Sequence, residues 1–144
     1  MPRLIFRRAV PADVPAMSAL RLSVKENKLS DPLKVTPQMY LDFLERDGCG
    51  WVCEDGIGLA GFAYANRLDA SVWALFVDPR CEGLGIGTRL LASVTDWLFE
   101  LGNDRITLTT SAETRADAFY RARGWHREGP DVSGDVTFTL VRRS

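Results

Sequence analysis

Residues 77–88 read VDPRCEGLGIGT and place three glycines at alternate positions, Gly83, Gly85 and Gly87. An apolar segment precedes them and a segment with helical periodicity follows, which predicts a strand-to-helix turn. Because glycine lacks a Cβ, such a turn can expose successive backbone N–H groups at the positive end of a helix. This arrangement suits a phosphate or pyrophosphate group, and a tight turn without a ligand is the alternative.

The spacing of the glycines argues against two common nucleotide-binding loops. The dinucleotide fingerprint is G-x-G-x-x-G, whereas this chain has G-x-G-x-G. A P-loop ends in Gly-Lys-Ser or Gly-Lys-Thr, whereas Gly87 is followed here by Thr88 and Arg89. The lysine that reaches terminal phosphates is therefore missing, and another nucleotide ligand is the weaker interpretation.

The periodicity on either side of the turn predicts one α/β domain over residues 1–144. Predicted strands cover residues 4–8, 51–54, 59–66, 71–77, 105–109, 125–128 and 135–141. Predicted helices begin at Pro11 and at Thr36-Pro37 (ending at Gly48), follow the glycine turn as far as Leu101, and cover residues 116–123. The order βααβββαβαββ predicts a mixed, mostly antiparallel sheet of about seven strands, flanked by about four helices.

Composition limits the function classes. The 144 residues include 18 Lys and Arg against 19 Asp and Glu, a net charge of −1. This balance argues against a nucleic-acid partner held by phosphate neutralisation. No apolar run approaches the roughly 18 residues of a membrane span, and the N-terminus does not resemble a signal peptide. We therefore expect a cytoplasmic protein without a membrane partner.

The cysteines predict neither a disulfide framework nor a metal site. Cys49, Cys53 and Cys81 are odd in number, which favours a reducing compartment. Cys49 and Cys53 could form half of a metal site, but His126 is the only histidine and there is no second cysteine pair. We therefore predict no metal, and a structural rather than catalytic role for His126.

The chain resembles the GCN5-related N-acetyltransferase (GNAT) family. The acyl-CoA motif of that family, V-x-P-x-x-R/Q-x-x-G-x-G/A, is closely similar to residues 77–87. A second family feature, an Ala-x-x-x-Tyr helix that runs into Gly and an aromatic residue, corresponds to ADAFYRARGW at residues 116–125. The predicted element order also matches the family fold over nearly the whole chain.

The resemblance implies acetyl-CoA as the acyl donor, with no metal required. It implies that backbone amides of the turn hold the CoA pyrophosphate, and that the end of the preceding strand pairs with the pantetheine. A backbone N–H near Val77 would stabilise the oxyanion, and Tyr120 would protonate the departing thiolate. The donor-binding residues implied in this way are Phe76, Val77, Glu82, Gly83, Leu84, Gly85, Ile86, Gly87 and Thr88.

Two residues depart from the family pattern. Glu82 stands where the family usually has Arg or Gln, and Glu113 stands where many members have Asn. Since a carboxylate cannot donate to a phosphate, we expect Glu82 to turn outward and the backbone amides to act alone. These departures support an alternative function, a CoA-binding sensor or regulatory module without turnover.

No motif of the sequence identifies the residues that bind the acceptor or remove its proton. Glu26 is the first candidate for the general base, Asp31, Asp69 and Asp78 are alternatives, and a bound water could replace them. Acidic residues there would suit a cationic amine, but a small metabolite, an antibiotic and a peptide or protein amine all qualify as acceptors. An exposed sheet edge could support a homodimer.

Overall fold

A computed structural model describes residues 3–23, 37–42 and 46–142 of the chain. The strands are β1 (Ile5–Arg8), β2 (Gly48–Glu54), β3 (Leu59–Asn66), β4 (Ser71–Val77), β5 (Arg105–Ser111), β6 (His126–Glu128) and β7 (Asp135–Val141). The α-helices of the described residues are α1 (Val14–Ser23), α2 (Pro37–Asp42), α3 (Ile86–Glu100) and α4 (Arg115–Ala122). Short 3-10 helices at Pro11–Asp13 and Pro79–Cys81 precede α1 and the glycine turn.

The strands form one seven-stranded sheet in the order β1-β2-β3-β4-β5-β7-β6. Every neighbouring pair is antiparallel except β4 and β5, which are parallel and pair only at Ser71 and Thr107. Beyond Ser71 the two strands separate. The last residues of β4 therefore have a strand partner on the β3 side and a gap on the β5 side. The predicted fold class is confirmed.

The two faces of the sheet carry two apolar clusters. On one face, α3 buries Ile86, Leu90, Val94 and Leu98 above the small residues Ala63 and Ala65 of β3. On the other, α1 buries Val14, Met17 and Leu20 against Phe62 and Tyr64. Successive residues of β3 belong to opposite clusters because side chains alternate across a strand.

Some predicted boundaries shift. Gly48, predicted to end the second helix, follows the π-helical residues 46–47. It also begins β2, ahead of the predicted start at residue 51, because residues 48–50 pair with residues 64–66 of β3. Strand β5 runs on to Ser111 because Ser111 pairs with Asp135 of β7. Leu101, predicted as the last residue of this helix, follows α3 as its cap and is 53% exposed.

Three further expectations concern membrane spans, the cysteines and metal binding. Among the residues that the structure describes, no helix combines the length and apolarity needed to span a membrane. Cys49, Cys53 and Cys81 are free and buried, and burial raises the pKa of each thiol. Over residues 3–23, 37–42 and 46–142, no group of three or more His, Cys, Asp and Glu side chains is placed to hold a metal ion.

Candidate active site

A cavity of about 460 Å³ opens where β4 separates from β5. Its walls are the end of β4, the glycine turn with the first turn of α3, and one face of α4. The lining residues from the first two walls are Leu75, Phe76, Val77, Cys81, Glu82, Gly83, Gly85, Ile86, Gly87 and Thr88; those from α4 are Arg115, Ala116, Phe119, Tyr120 and Arg123. The fold thus brings most of the predicted donor-binding residues and Tyr120 to one cleft.

The glycine turn requires glycine at two positions. Gly83 and Gly85 have φ values of +84° and +77°, a region that side chains with a Cβ rarely adopt. Gly85 is also the N-cap of α3. Gly87 has an ordinary φ, and a Cβ there would make an ordinary van der Waals contact with the Phe119 ring, at 3.4 Å.

The turn directs the start of α3 at the cleft. The hydrogen bond that closes the first turn of this 15-residue helix runs from the Arg89 N–H to the Gly85 carbonyl, at 3.2 Å. The N–H groups of Ile86, Gly87 and Thr88 come before that bond and have no carbonyl of their own helix to donate to. Together with the helix dipole they form an anion-binding end.

The backbone of β4 supplies a second set of polar groups. The Asp78 N–H donates to the Ala60 carbonyl of β3 at 2.8 Å, and Val77 pairs with Gly61 in the antiparallel register. Successive residues of an antiparallel strand direct their N–H groups to alternate edges. The Val77 N–H therefore points away from β3, into the gap that β5 leaves.

A buried carboxylate holds α4 in place. Thr114 caps the helix by accepting from the Asp117 N–H at 3.2 Å. Asp117 accepts two hydrogen bonds from Arg127 (2.8 and 3.0 Å), one from Arg121 (3.2 Å) and one from the Glu113 N–H (3.0 Å). The hydrogen bonds from Arg127 are the main cause that lowers the pKa of Asp117 to about 2. Asp117 is therefore ionised at neutral pH and ties α4 to β6.

Tyr120 lies at the floor of the cleft. It is only 5% exposed and packs against the rings of Phe119, Trp125 and Phe138, with centroids 5.2 to 5.6 Å apart. Its hydroxyl forms no hydrogen bond with the described part of the chain. Burial raises the pKa of Tyr120 well above its ordinary value. The phenol is therefore protonated at neutral pH and can donate to a group in the cleft.

Two polar bridges join α4 to the glycine turn. Arg115 forms an ion pair with Glu82, and Arg123 donates to the Thr88 hydroxyl from Nε and Nη2. The Arg123 guanidinium also lies 3.7 Å from the centroid of the Phe119 ring. Glu82, expected to turn outward, is exposed but reaches across to α4.

The other predicted site residues lie elsewhere. Glu26 and Asp31 are outside the described residues. Asp78 caps the 3-10 helix before the glycine turn by accepting from the Arg80 N–H, and Asp69 accepts from the Ser71 hydroxyl. The side chain of Leu84 is exposed and does not line the cavity. His126 is exposed beside Glu128.

Phe119 and Arg123 also line the cleft, although neither was predicted from the sequence as a site residue. The signal was present, because residues 116, 119, 120 and 123 are spaced three or four apart and so share one face of a helix. The spacing does not show, however, that this face of α4 meets the glycine turn. That contact arises because the folded sheet places α4 and the start of α3 on opposite sides of the gap between β4 and β5.

Comparisons with known proteins agree with this geometry. Residues 16–125 match the model of the family described as "Acetyltransferase (GNAT) family". The chain is 29% identical over 133 residues to the aminoglycoside N(6')-acetyltransferase type 1 of Stenotrophomonas maltophilia, covering 83% of this chain and 84% of that protein. It is 36% identical over 90 residues to the mycothiol acetyltransferase of Thermobispora bispora, covering 62% of this chain but only 30% of that protein.

A solved structure shows the same fold. The PaiA N-acetyltransferase from Thermoplasma acidophilum, in complex with coenzyme A, superposes with a TM-score of 0.83 over 97% of this chain and 99% of its own. The two sequences are 16% identical, so this likeness concerns the fold alone.

Proposed function

Because the chain belongs to the acetyltransferase (GNAT) family, we propose that it transfers the acetyl group of acetyl-CoA to an amine in the cleft beside β4. Membership of the family makes the chain an N-acetyltransferase; the donor's placement, the residue roles and the acceptor are the proposal. One observation carries it: the α3 amides, the β4 edge that β5 leaves free and the Tyr120 hydroxyl all meet at one cavity of about 460 Å³.

The donor spans two walls of this cavity. Its pyrophosphate binds the N–H groups of residues 83–88, where the dipole of α3 favours negative charge. Its pantetheine amides pair with the free edge of β4 at Phe76 and Val77, as an added strand would. The thioester then lies near the end of β4, between Val77 and Tyr120.

The reaction is a direct displacement. The neutral amine attacks the thioester carbonyl carbon, and the Val77 N–H stabilises the negative charge that develops on the carbonyl oxygen. As the new C–N bond forms and the C–S bond breaks, Tyr120 gives its proton to the departing sulfur. Tyr120 then regains a proton from solvent or from the amine.

Removal of the amine proton needs a base. Glu26 stays our first candidate for it, and a bound water is the alternative; Glu26 lies outside the described residues. Holding the amine and the thioester together contributes a large share of the rate, up to about 7–11 kcal/mol in the most favourable intramolecular cases.

Thermal unfolding with and without acetyl-CoA tests the donor. Ligand at a hundred times its Kd adds about 2.7 kcal/mol of stability, which raises Tm by several degrees. ATP and NADH serve as controls, because the chain has neither a P-loop nor the dinucleotide-binding G-x-G-x-x-G motif. No shift with acetyl-CoA at saturating concentration would contradict the proposal.

Thiol release from acetyl-CoA in the presence of amines then separates an enzyme from a binding module. Release above the background hydrolysis rate with any amine supports acetyl transfer. A chain that binds acetyl-CoA but releases no thiol with any amine would instead be the CoA-binding sensor considered above.

A further inference from the structure

Arg21, in the last turn of α1, carries two buried guanidinium nitrogen atoms that have no hydrogen-bond partner among the described residues. Its Nε and Nη1 atoms are buried and donate to nothing in the structure described for this chain. The guanidinium lies 4.9 Å from the centroid of the Phe76 ring and 5.7 Å from that of Trp73. Two aromatic rings therefore position a cation whose donors are unused.

Other partly buried guanidinium groups of the chain are paired with acids. Arg7 donates to the carboxylates of Asp13 and Glu54, and Arg127 donates two hydrogen bonds to Asp117. Burial without a partner is costly for a charged group, and contact with aromatic faces offsets only part of that cost. Arg21 thus differs from Arg7 and Arg127, because no carboxylate of the described residues accepts from its Nε or Nη1, although a carboxylate fits this planar donor group.

Arg21 lies beside the end of β4, where the proposed reaction takes place, because its guanidinium contacts the Phe76 ring. The Phe76 ring belongs to the cluster on the α1 face of the sheet, whereas Leu75 and Val77 pack with the cluster on the α3 face. Because β5 has left β4 at this point, the end of β4 can be approached from both faces. In the proposed function the donor lies on the α3 and α4 side, so an acceptor that comes from the α1 side meets Arg21.

We propose that Arg21 binds a carboxylate of the acceptor, so that the acceptor is an amine that carries a carboxylate, such as an amino acid. This inference rests on the proposed function and adds a specificity-determining residue to it. A polycationic acceptor, as the name of the Stenotrophomonas relative would suggest, places positive charge next to Arg21 and is disfavoured. Arg21 would then hold the carboxylate of the acceptor, while the amine of the same molecule faces the thioester carbonyl beside the Val77 N–H.

Matched substrates test the charge requirement. Thiol release is measured with the twenty L-amino acids, their carboxamides, dipeptides with a free C-terminus, and an aminoglycoside. We expect at least one free carboxylate to give a kcat/KM about 10- to 100-fold above that of its own carboxamide, as for a charge-assisted hydrogen bond. Comparison of the dipeptides with the free amino acids shows whether the acceptor is a peptide or a single amino acid. Equal values for every acid and its amide would overturn the inference.

Variants assign the effect to Arg21. Arg21→Met keeps a long apolar stem against Phe76 and Trp73 but removes the charge. It should raise the KM of the preferred carboxylate about 10- to 100-fold, leave its carboxamide and the KM of acetyl-CoA unchanged, and not lower Tm. Arg105→Met, which removes an exposed arginine of β5, should behave as the wild type. An Arg21→Met enzyme that still prefers the carboxylate would refute the role of Arg21.

The inference and the proposed function fail in different ways. If acetyl-CoA gives no thermal shift, the proposed function itself is wrong. If acetyl-CoA binds and neutral or cationic amines release thiol without any preference for a carboxylate, only the Arg21 inference is wrong. Binding of the amino acids to the complex with CoA, which has no acetyl group to transfer, supplies a readout without turnover when it is measured calorimetrically with wild type and Arg21→Met. Binding that Arg21→Met does not weaken also refutes the inference.

Discussion

Arg123 donates two hydrogen bonds to the Thr88 hydroxyl, from Nε at 3.2 Å and from Nη2 at 2.7 Å. The first residue caps α4 and the second lies in the first turn of α3, so the contact joins the two helices that face each other across the cleft. The Thr88 side chain is therefore engaged by protein, while its N–H remains at the open end of α3.

This contact predicts that the Thr88 side chain is dispensable for donor binding. Thr88→Val removes the hydroxyl but keeps the backbone amide that we assign to the pyrophosphate. The Kd of acetyl-CoA, measured calorimetrically, should change by less than about threefold, and the free energy of unfolding should fall by about 0.5–1.5 kcal/mol. A tenfold loss of affinity would mean that the hydroxyl itself binds the donor.

The ion pair between Glu82 and Arg115 predicts that neutralising Glu82 increases the affinity for acetyl-CoA. Glu82→Gln removes an exposed negative charge next to the anion-binding turn and releases Arg115 from its ion pair. We expect the Kd of acetyl-CoA to fall about two- to fivefold at low ionic strength, the range of exposed charge interactions, and the gain to shrink in salt. Weaker binding would show that Glu82 supports the turn.

Tyr120→Phe tests the proton donor. The hydroxyl forms no hydrogen bond with described residues, so Tm and the Kd of acetyl-CoA should be unchanged, while kcat falls about 100-fold or more. Since burial raises the pKa of Tyr120, any alkaline loss of kcat due to this phenol must lie above about pH 10. Undiminished kcat in this variant would remove Tyr120 from the mechanism.

Gly61→Ala tests the packing that positions the end of β4. A Cβ at residue 61 would lie 3.0 Å from the Phe76 carbonyl oxygen and 3.1 Å from Ile86 Cγ2 and Leu90 Cδ1. Because a paired backbone carbonyl cannot move aside, we expect a loss of about 1–3 kcal/mol on urea unfolding. Gly58→Ala is the control: no atom lies within 4 Å of its Cβ, and its stability should change by less than about 0.5 kcal/mol. Equal effects of the two substitutions would refute the close packing.

Asp117→Asn tests the anchor of α4. Because its folded pKa of about 2 lies below the ordinary value of 3.8, the ionised carboxylate stabilises the fold above about pH 4, and this contribution disappears as the pH falls toward 2. The variant should lose roughly 2 kcal/mol at pH 7 and approach the wild type near pH 2. Urea unfolding at both pH values measures this, with Asp96→Asn on the exposed face of α3 as the control. A difference in the free energy of unfolding that does not change with pH would show that the charge of Asp117 does not stabilise the fold.

Local patterns were sufficient for most of the secondary structure. The predicted bounds 59–66, 71–77 and 135–141 coincide with β3, β4 and β7, because alternation and turn residues mark both ends of a strand. The turn was also predictable, since Gly83 and Gly85 occupy a backbone region that glycine adopts far more readily than residues with a Cβ. The GNAT resemblance, confirmed by the family model, followed from this turn and the Ala116–Trp125 segment.

Contacts between distant segments were not predictable in the same way. Gly48 was predictable as the end of a helix, but that it also begins β2 depends on its partner Asn66 in β3. The bonds from Arg127 to Asp117 and from Arg123 to Thr88 join residues 10 and 35 positions apart, and no periodicity encodes such pairs. Side-chain type along the chain specifies elements and turns. The separation of β4 from β5, the cleft it opens and the contact of Arg21 with the Phe76 and Trp73 rings exist only once the sheet has brought remote segments together.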